Sequence, residues 1–387
     1  MADLLDDPAR LAAGDPQDML RAVASGAAQV REAAALAAEA GVRRLVDEDR
    51  PRSVVVCGMG GSAIAGDIFA AAGGAACPVP VLSHRGYGLP VWVGAADLVV
   101  AVSCSGHTEE TLSALAEAVR RRCRLLVVGA QGSPLEDLGR RGGGVFVPVT
   151  QGRQPRASVW ALAVPLLVAG DALGLLQAPP ESLDLVAVRL ETVAAQCRPD
   201  ADSVTNPAKT LASALTGTLP VVWGSSPLAA AAAYRFACQL NENAHYPAVH
   251  GALPEAAHNQ IVSFDGPYGG GSPGRGGTPA GSSDVDLFRD RADDDDDDPA
   301  STPLHLVLLR DSDEHPQTAL RARVCVELAR QRGIEVSQLL AEGGSPVERI
   351  ASLVGLTDWA SVYLALLEGT DPTPVDAITA LKQRISA

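Results

Sequence analysis

Apolar and polar positions follow two different periods along this chain. Short runs of aliphatic and β-branched residues, SVVVCG (53–58), VPVLSH (79–84), DLVVAVS (97–103), RLLVVG (124–129) and GVFVPV (144–149), have the length and continuity of buried strands. Between them, residues 62–73, 108–121 and 134–140 read as helices. Alternation at this interval predicts βαβ units and a doubly wound sheet. Residues 17–48 read as one amphipathic helix, and 157–216 as largely helical. A second cycle opens at LPVVWGSSPLAAAAAYRFACQLNENA (219–244), again strand, Gly-Ser turn and helix. It continues through LHLVLL, a helix near 315–333, IEVSQLL and a long helix near 346–368, and predicts an internal repeat of a whole domain.

The expected fold is therefore α/β, two doubly wound parallel-sheet domains (flavodoxin-like αβα sandwiches) with C-terminal helices. The expected boundaries are a helical N-terminal arm at 1–48, a first domain at 49–170, a helical connection at 171–216 and a second domain at 217–387. An insertion at about 266–302 interrupts the second domain. Its glycines, serines and the aspartate run Asp293–Asp298 bury too little apolar surface to offset ordering entropy, so it reads as a disordered acidic loop rather than a metal site.

Composition narrows the function. At 47% hydrophobic and 4% aromatic residues, the chain favours helices on a parallel sheet over a β-sandwich. A net charge of −15 without a Lys/Arg cluster argues against a nucleic-acid surface, and makes any phosphate site depend on local donors. The seven cysteines are odd in number and never spaced as C-x-x-C, as expected for reduced core residues in a cytoplasmic protein with no metal site. The acidic start MADLLDDPARLAAGDPQDML is unlike a signal peptide. The longest apolar stretch, 157–176, is broken by Pro165 and Asp171, and reads as a buried helix rather than a membrane span.

The stretch VVVCGMGGSAIAGD places Gly60, Gly61 and Ser62 between a strand and a helix, an arrangement that binds phosphate at the helix N-terminus. Gly58, Gly60 and Ala63 also fit the loose dinucleotide pattern. The next strand, however, ends in Ser83, His84 and Arg85, with no carboxylate for a ribose. Arg85 leaves an NADP-dependent oxidoreductase open as an alternative. The third strand runs into SCSGHTEETL, so Ser103, Ser105 and Thr108 share one turn before another helix. Hydroxyls and free N–H groups there make a cage for one phosphate dianion. The alternative is that they only cap the helix.

These two loops resemble the phosphate loops of the sugar isomerase domain, whose second loop usually reads S-x-S-G-N-T-x-E-T. With QPRASVWAL, AAYRFACQLNENAH, LPEAAHNQIVSF and DWASVYLALLEGTDPTPVDAITALK, nearly the whole chain outside the insertion resembles the bifunctional phosphoglucose/phosphomannose isomerases. The resemblance implies two sugar isomerase domains and a homodimer with a shared active site. It also implies a hexose 6-phosphate substrate, no cofactor, and an enediol proton transfer that needs no metal. It makes Glu242 the base and His258, sixteen residues on, the ring-opening group, contributed across the dimer. The resemblance further sets Arg156 against the enediolate oxygens and Lys382 near the ring oxygen, and Thr373 is expected on the C2 side of the pocket.

The residues leave other readings open. Glu242, near a helix C-terminus, gains nothing from the macrodipole, although a solvated surface role stands beside the catalytic one. His245 and His250 compete with His258, which could instead pack in a turn capped by Asn259. Glu255 is the rival carboxylate, expected to cap the helix after Pro254. Cys104, His107 and His245 depart from the family's aromatic, asparagine and lysine. A non-catalytic sugar-phosphate sensor on the same fold remains the second function.

Overall fold

The computed structural model describes residues 2–47, 49–269 and 302–385. Strands β1 (Val54–Cys57), β2 (Val81–His84), β3 (Leu98–Ser103), β4 (Arg124–Ala130) and β5 (Val145–Val149) form a parallel sheet ordered β2-β1-β3-β4-β5. Strands β6 (Leu219–Gly224), β7 (Val249–Ala252), β8 (Leu304–Arg310) and β9 (Glu335–Leu340) form a second parallel sheet ordered β7-β6-β8-β9. The second order is the first without its fifth strand, so the repeat seen in the sequence is a repeat of topology.

The helices, in chain order, are α1 (Ala2–Leu5), α2 (Pro8–Gly14), α3 (Met19–Ala24), α4 (Gly26–Glu39), α5 (Gly61–Gly73), α6 (Glu109–Arg120) and α7 (Pro134–Arg141). They continue with α8 (Val159–Ala172), α9 (Pro180–Cys197), α10 (Pro207–Leu215), α11 (Pro227–Asn243), α12 (Pro316–Gln331), α13 (Pro346–Leu367) and α14 (Asp376–Ile385). β1 and β3 are buried at every residue, as strands covered on both faces must be. One apolar core joins the facing sides of the two sheets, with Val56, Ile64, Trp160, Phe236, Val307 and Val354 among its members. Fully burying a side chain such as Phe236 stabilises by roughly 1.5–3 kcal/mol. Separate cores lie under α6 and α7 on the outer face of the first sheet, and under α12 on the second.

Three expectations need adjustment. The helix expected over 17–48 is instead α3, α4 and a 3-10 turn at Val42–Asp47. It breaks at Ser25, and Gly26 there passes Trp160 so closely that a Cβ would meet the indole at 3.3 Å. β7 is a strand without a sequence signal, because VHGA is an exposed edge without an apolar run. The acidic segment lies largely outside the described residues, but its flanks meet: Leu304 N–H donates to the Tyr268 carbonyl at 2.7 Å. The stretch 157–176 contains the buried helix α8. α13 is long and apolar enough to cross a membrane, yet most of it is buried inside the fold.

Candidate active site

In a parallel sheet of this order, the chain leaves β1 and β3 in opposite directions, and a crevice opens at their carboxyl ends. The two loops read in the sequence as candidate phosphate loops lie there. α5 begins at Gly61 without a side-chain cap, and its N-cap Gly60 has φ 51°, a conformation that favours glycine. Across the crevice, Gly106 has φ 71°, and a Cβ there would lie 2.1 Å from Ser133 Oγ. Only glycine lets this loop turn under Ser133.

The four hydroxyls named from the sequence gather at this turn. Ser62 Oγ accepts from the Cys104 N–H at 3.3 Å, which ties the first loop to the second. Ser103 Oγ lies 2.9 Å from Thr108 Oγ1 and 3.5 Å from Ser105 Oγ, and accepts from the Gly106 N–H at 3.0 Å. Thr108 occupies the N-cap of α6, but its side chain makes no capping hydrogen bond. The capping alternative therefore does not describe its geometry. His107 stays within the loop, its N–H donating to Ser105 Oγ at 3.2 Å and its Nδ1 lying 2.7 Å from the Ser105 carbonyl. Burial pushes the Cys104 thiol up, so it remains protonated. A cavity of about 330 Å³ borders the loop, lined by Cys104, Ser105, His107, Ser133, Arg153 and Pro155 among others.

The carbonyl of Pro155 faces the start of α5: a Cβ on Gly61 would meet it at 3.8 Å. The next residue, Arg156, is buried in the 3-10 turn Pro155–Ala157 and gathers two distant segments. Its Nη1 donates to the Glu242 carbonyl at 2.6 Å, to Asn243 Oδ1 at 3.4 Å and to the Pro372 carbonyl at 2.9 Å. Its Nη2 donates to the Thr373 carbonyl, and its Nε lies 3.9 Å from Glu242 Oε2. Burial disfavours the guanidinium charge, and Glu242 and Asp371 favour it. Glu242 is the penultimate residue of α11, as its position in the sequence suggested. Thr373 is buried, and its Oγ1 has no hydrogen-bond partner among the described residues. A buried hydroxyl left unpaired is costly unless a ligand completes it.

Lys382 lies on α14, a helix with no buried residue, which leaves the junction just after Thr373. His245 Nε2, 3.2 Å from the Pro374 carbonyl, also anchors that segment. His258 is exposed at the end of the 3-10 turn Glu255–His258, and makes no hydrogen bond or ion pair with Glu242 or Arg156 among the described residues. The structure therefore joins Arg156, Glu242 and Thr373, and leaves His258 apart. Glu255 does not cap its turn; its carboxylate accepts from Asn259 Nδ2 at 2.9 Å. Asn259 does cap the turn that follows, accepting the Gln260 N–H.

Arg85 is not free to receive a 2′-phosphate. Its guanidinium pairs with Asp67 and lies 5.3 Å from the Tyr234 ring centroid. Tyr234 and His250 are neighbours, with ring centroids 4.7 Å apart, so His250 belongs to this bridge between α5 and α11. Sequence reasoning missed Asn243, whose amide holds Arg156. The spacing of Arg235, Gln239 and Asn243, a polar stripe on the buried side of α11, was the available sign.

Residues 204–385 match the family model described as the bacterial phospho-glucose isomerase C-terminal SIS domain. A solved hypothetical protein from Thermus thermophilus superposes with a TM-score of 0.67 at 17% identity, covering 98% of this chain and 93% of that one. At that identity the likeness speaks for the fold alone. The chain is also similar to the bifunctional phosphoglucose/phosphomannose isomerase of Aquifex aeolicus, 30% identical with 86% of this chain and 90% of that protein covered. It is 30% identical to the enzyme of the same name from Caldicellulosiruptor bescii, with 86% of this chain and 89% of that protein covered. With these sequences and this fold, the chain belongs to the bifunctional phosphoglucose/phosphomannose isomerase family, and so to the isomerase class of enzymes.

Proposed function

We propose that this enzyme interconverts glucose 6-phosphate and mannose 6-phosphate with fructose 6-phosphate through an enediol. The junction at Arg156 carries the reading. One buried guanidinium fixes the helix end that bears Glu242 and the segment that bears Thr373, directly after Pro155 at the phosphate-loop helix. Gly60, Gly61, Ser62, Ser103, Ser105 and Thr108 hold the 6-phosphate at the crevice. Glu242 takes the proton from C2 of the open-chain aldose and returns it to C1, while the O2 hydroxyl proton is given up and O1 gains one as the enediol forms and collapses, so substrate and product are isomers. Arg156 stabilises the negative charge that develops on the C1 and C2 oxygens. Thr373 lines the C2 side, and its unpaired Oγ1 supports a hydroxyl partner there. This route uses protein acids and bases only, without a cofactor or a metal.

His258 and Lys382 serve ring opening in this reading. His258 reaches the site from a second copy of the chain, in keeping with its exposed position away from Glu242. α14 also exposes Ile378, Leu381 and Ile385 along one side, as a helix with an absent partner would. A light-scattering mass near 39.8 kDa in a fully active sample would contradict the homodimer. The activity itself is tested by incubating the purified protein with each aldose phosphate and assaying fructose 6-phosphate. Formation from both supports the reading, and tight binding without turnover would favour the sensor instead.

A further inference from the structure

Arg235 and Asp358 form a charged pair that no step above uses, between the buried faces of α11 and α13. Asp358 lies mid-way along α13, a helix buried over most of its length, and both side chains are almost completely buried. Arg235 Nε donates to Asp358 Oδ1 at 2.9 Å, and its Nη2 to Asp358 Oδ2 at 2.6 Å. That Nη2 also donates to the backbone carbonyl of Arg156 at 3.0 Å. Two turns along α11, Asn243 Nδ2 donates to Ser361 Oγ at 2.9 Å while its Oδ1 faces Arg156 Nη1. α13 thus holds Arg156 twice, by its carbonyl through Asp358 and Arg235, and by its guanidinium through Ser361 and Asn243.

Stability alone gives a weak reason for this arrangement. Exchanging a buried ion pair for apolar residues of similar volume is often neutral or stabilising, because desolvation of both charges offsets their attraction. An apolar pair could fill the space between α11 and α13. It could not donate to the carbonyl of a residue in a three-residue 3-10 turn, which has little regular hydrogen bonding to fix its direction. The carbonyl bond is therefore the feature that requires an arginine, and Asp358 is the group that aims it.

We propose that Arg235, oriented by Asp358, is a positioning residue that fixes Arg156 for the reaction; this rests on the reading of Arg156 as the partner of the enediolate. The test compares the parent enzyme with Arg235→Met/Asp358→Leu, Arg235→Lys and Arg156→Met, measuring the melting temperature and kcat and KM for glucose 6-phosphate. The double variant is expected to melt close to the parent, with kcat about 10–100-fold lower and KM changed less than about threefold, the pattern of a displaced transition-state group. A double variant whose kcat is near the parent's overturns the proposal. Should it fail to fold, Arg235→Lys decides. Lysine can pair with Asp358 but cannot reach the Arg156 carbonyl with the same group, so kcat falls at constant KM. An unchanged kcat in that variant overturns the proposal instead. Arg156→Met separates the two readings: if it keeps full kcat, the role of Arg156 itself fails, whatever Arg235 does.

Discussion

The two sheets share one strand order and use the same corner differently. In the first, the loops after β1 and β3 present Ser62, Ser103, Ser105 and Thr108, and neither following helix has a side-chain cap. In the second, the equivalent loops follow β6 and β8, and their groups are already taken. Ser226 caps α11 by accepting the Ala229 N–H at 3.1 Å, and donates to Asp311 Oδ2 at 2.9 Å. Ser225 Oγ accepts the Asp311 N–H at 3.2 Å, and Asp311 pairs with Arg349 at 2.8 Å. A carboxylate of the chain itself thus occupies the corner equivalent to the one proposed to take the phosphate in the first sheet. The same fold supports both outcomes, because the anion preference belongs to strand ends and helix starts, whereas occupancy belongs to a few side chains.

Matched substitutions sharpen this contrast. Ser105→Ala/Thr108→Ala removes two hydroxyls proposed to bind a dianion, each worth about 1.5–3 kcal/mol. The KM for hexose 6-phosphates is therefore expected to rise by about 100-fold or more, read from steady-state kinetics. Ser225→Ala/Ser226→Ala in the second sheet should leave KM essentially unchanged, and equal losses from both pairs would erase the distinction. Next in size, Asp311→Ala takes from the buried Arg349 its hydrogen-bonded partner and leaves only the longer pair to the exposed Asp313 at 3.7 Å, at a cost of up to about 3 kcal/mol. Added inorganic phosphate should then raise the melting temperature of this variant more than that of the parent. No difference in that response would mean the second corner is not an anion site in disguise.

Acid should weaken the two sheets in sequence. Burial holds the His305 imidazole on β8 below its ordinary range, against the pull of Glu335. The unfolded chain then takes the proton first, so its contribution is complete above about pH 6.5 and is lost as pH falls. Asp97, just before β3, is opposed by its own burial. Even so, hydrogen bonds from Arg52, the Gly94 N–H and Ser53 hold its carboxyl below the usual range. Its contribution is complete above about pH 3.9 and is lost only below that. His305→Gln should flatten the melting temperature between pH 7 and 5, and Asp97→Asn only under pH 4. The reverse order would contradict the assignment. The smallest effect concerns the acidic segment: with Tyr268 and Leu304 already paired, deleting 270–301 should leave melting temperature and KM nearly unchanged.

The repeat was legible because buried parallel strands such as LVVAVS and LHLVLL declare themselves as apolar runs. β7 was not, since an exposed edge strand needs no such run. The two strand-to-helix turns that gather Ser62, Ser103, Ser105 and Thr108 could be read from residue type and spacing, because glycine and hydroxyl positions there are dictated locally. The Arg156 junction could be named but not built from sequence. Three of its acceptors are the backbone carbonyls of Glu242, Pro372 and Thr373, which any residue would supply. For the same reason Asp311 gave no sign that it closes the second corner: its role depends on Ser226 and Arg349 arriving beside it.

The most direct test of the proposed chemistry is the reaction of glucose 6-phosphate and mannose 6-phosphate in heavy water, followed by proton NMR, with the parent enzyme and Glu242→Gln. The parent should convert both to fructose 6-phosphate with deuterium entering at C1, as an enediol whose proton visits a carboxylate requires. Glu242→Gln should slow that conversion by about 10²–10⁴-fold, with binding little changed. Turnover by Glu242→Gln at near the parent's rate would remove Glu242 as the base and, with it, the mechanism built around Arg156.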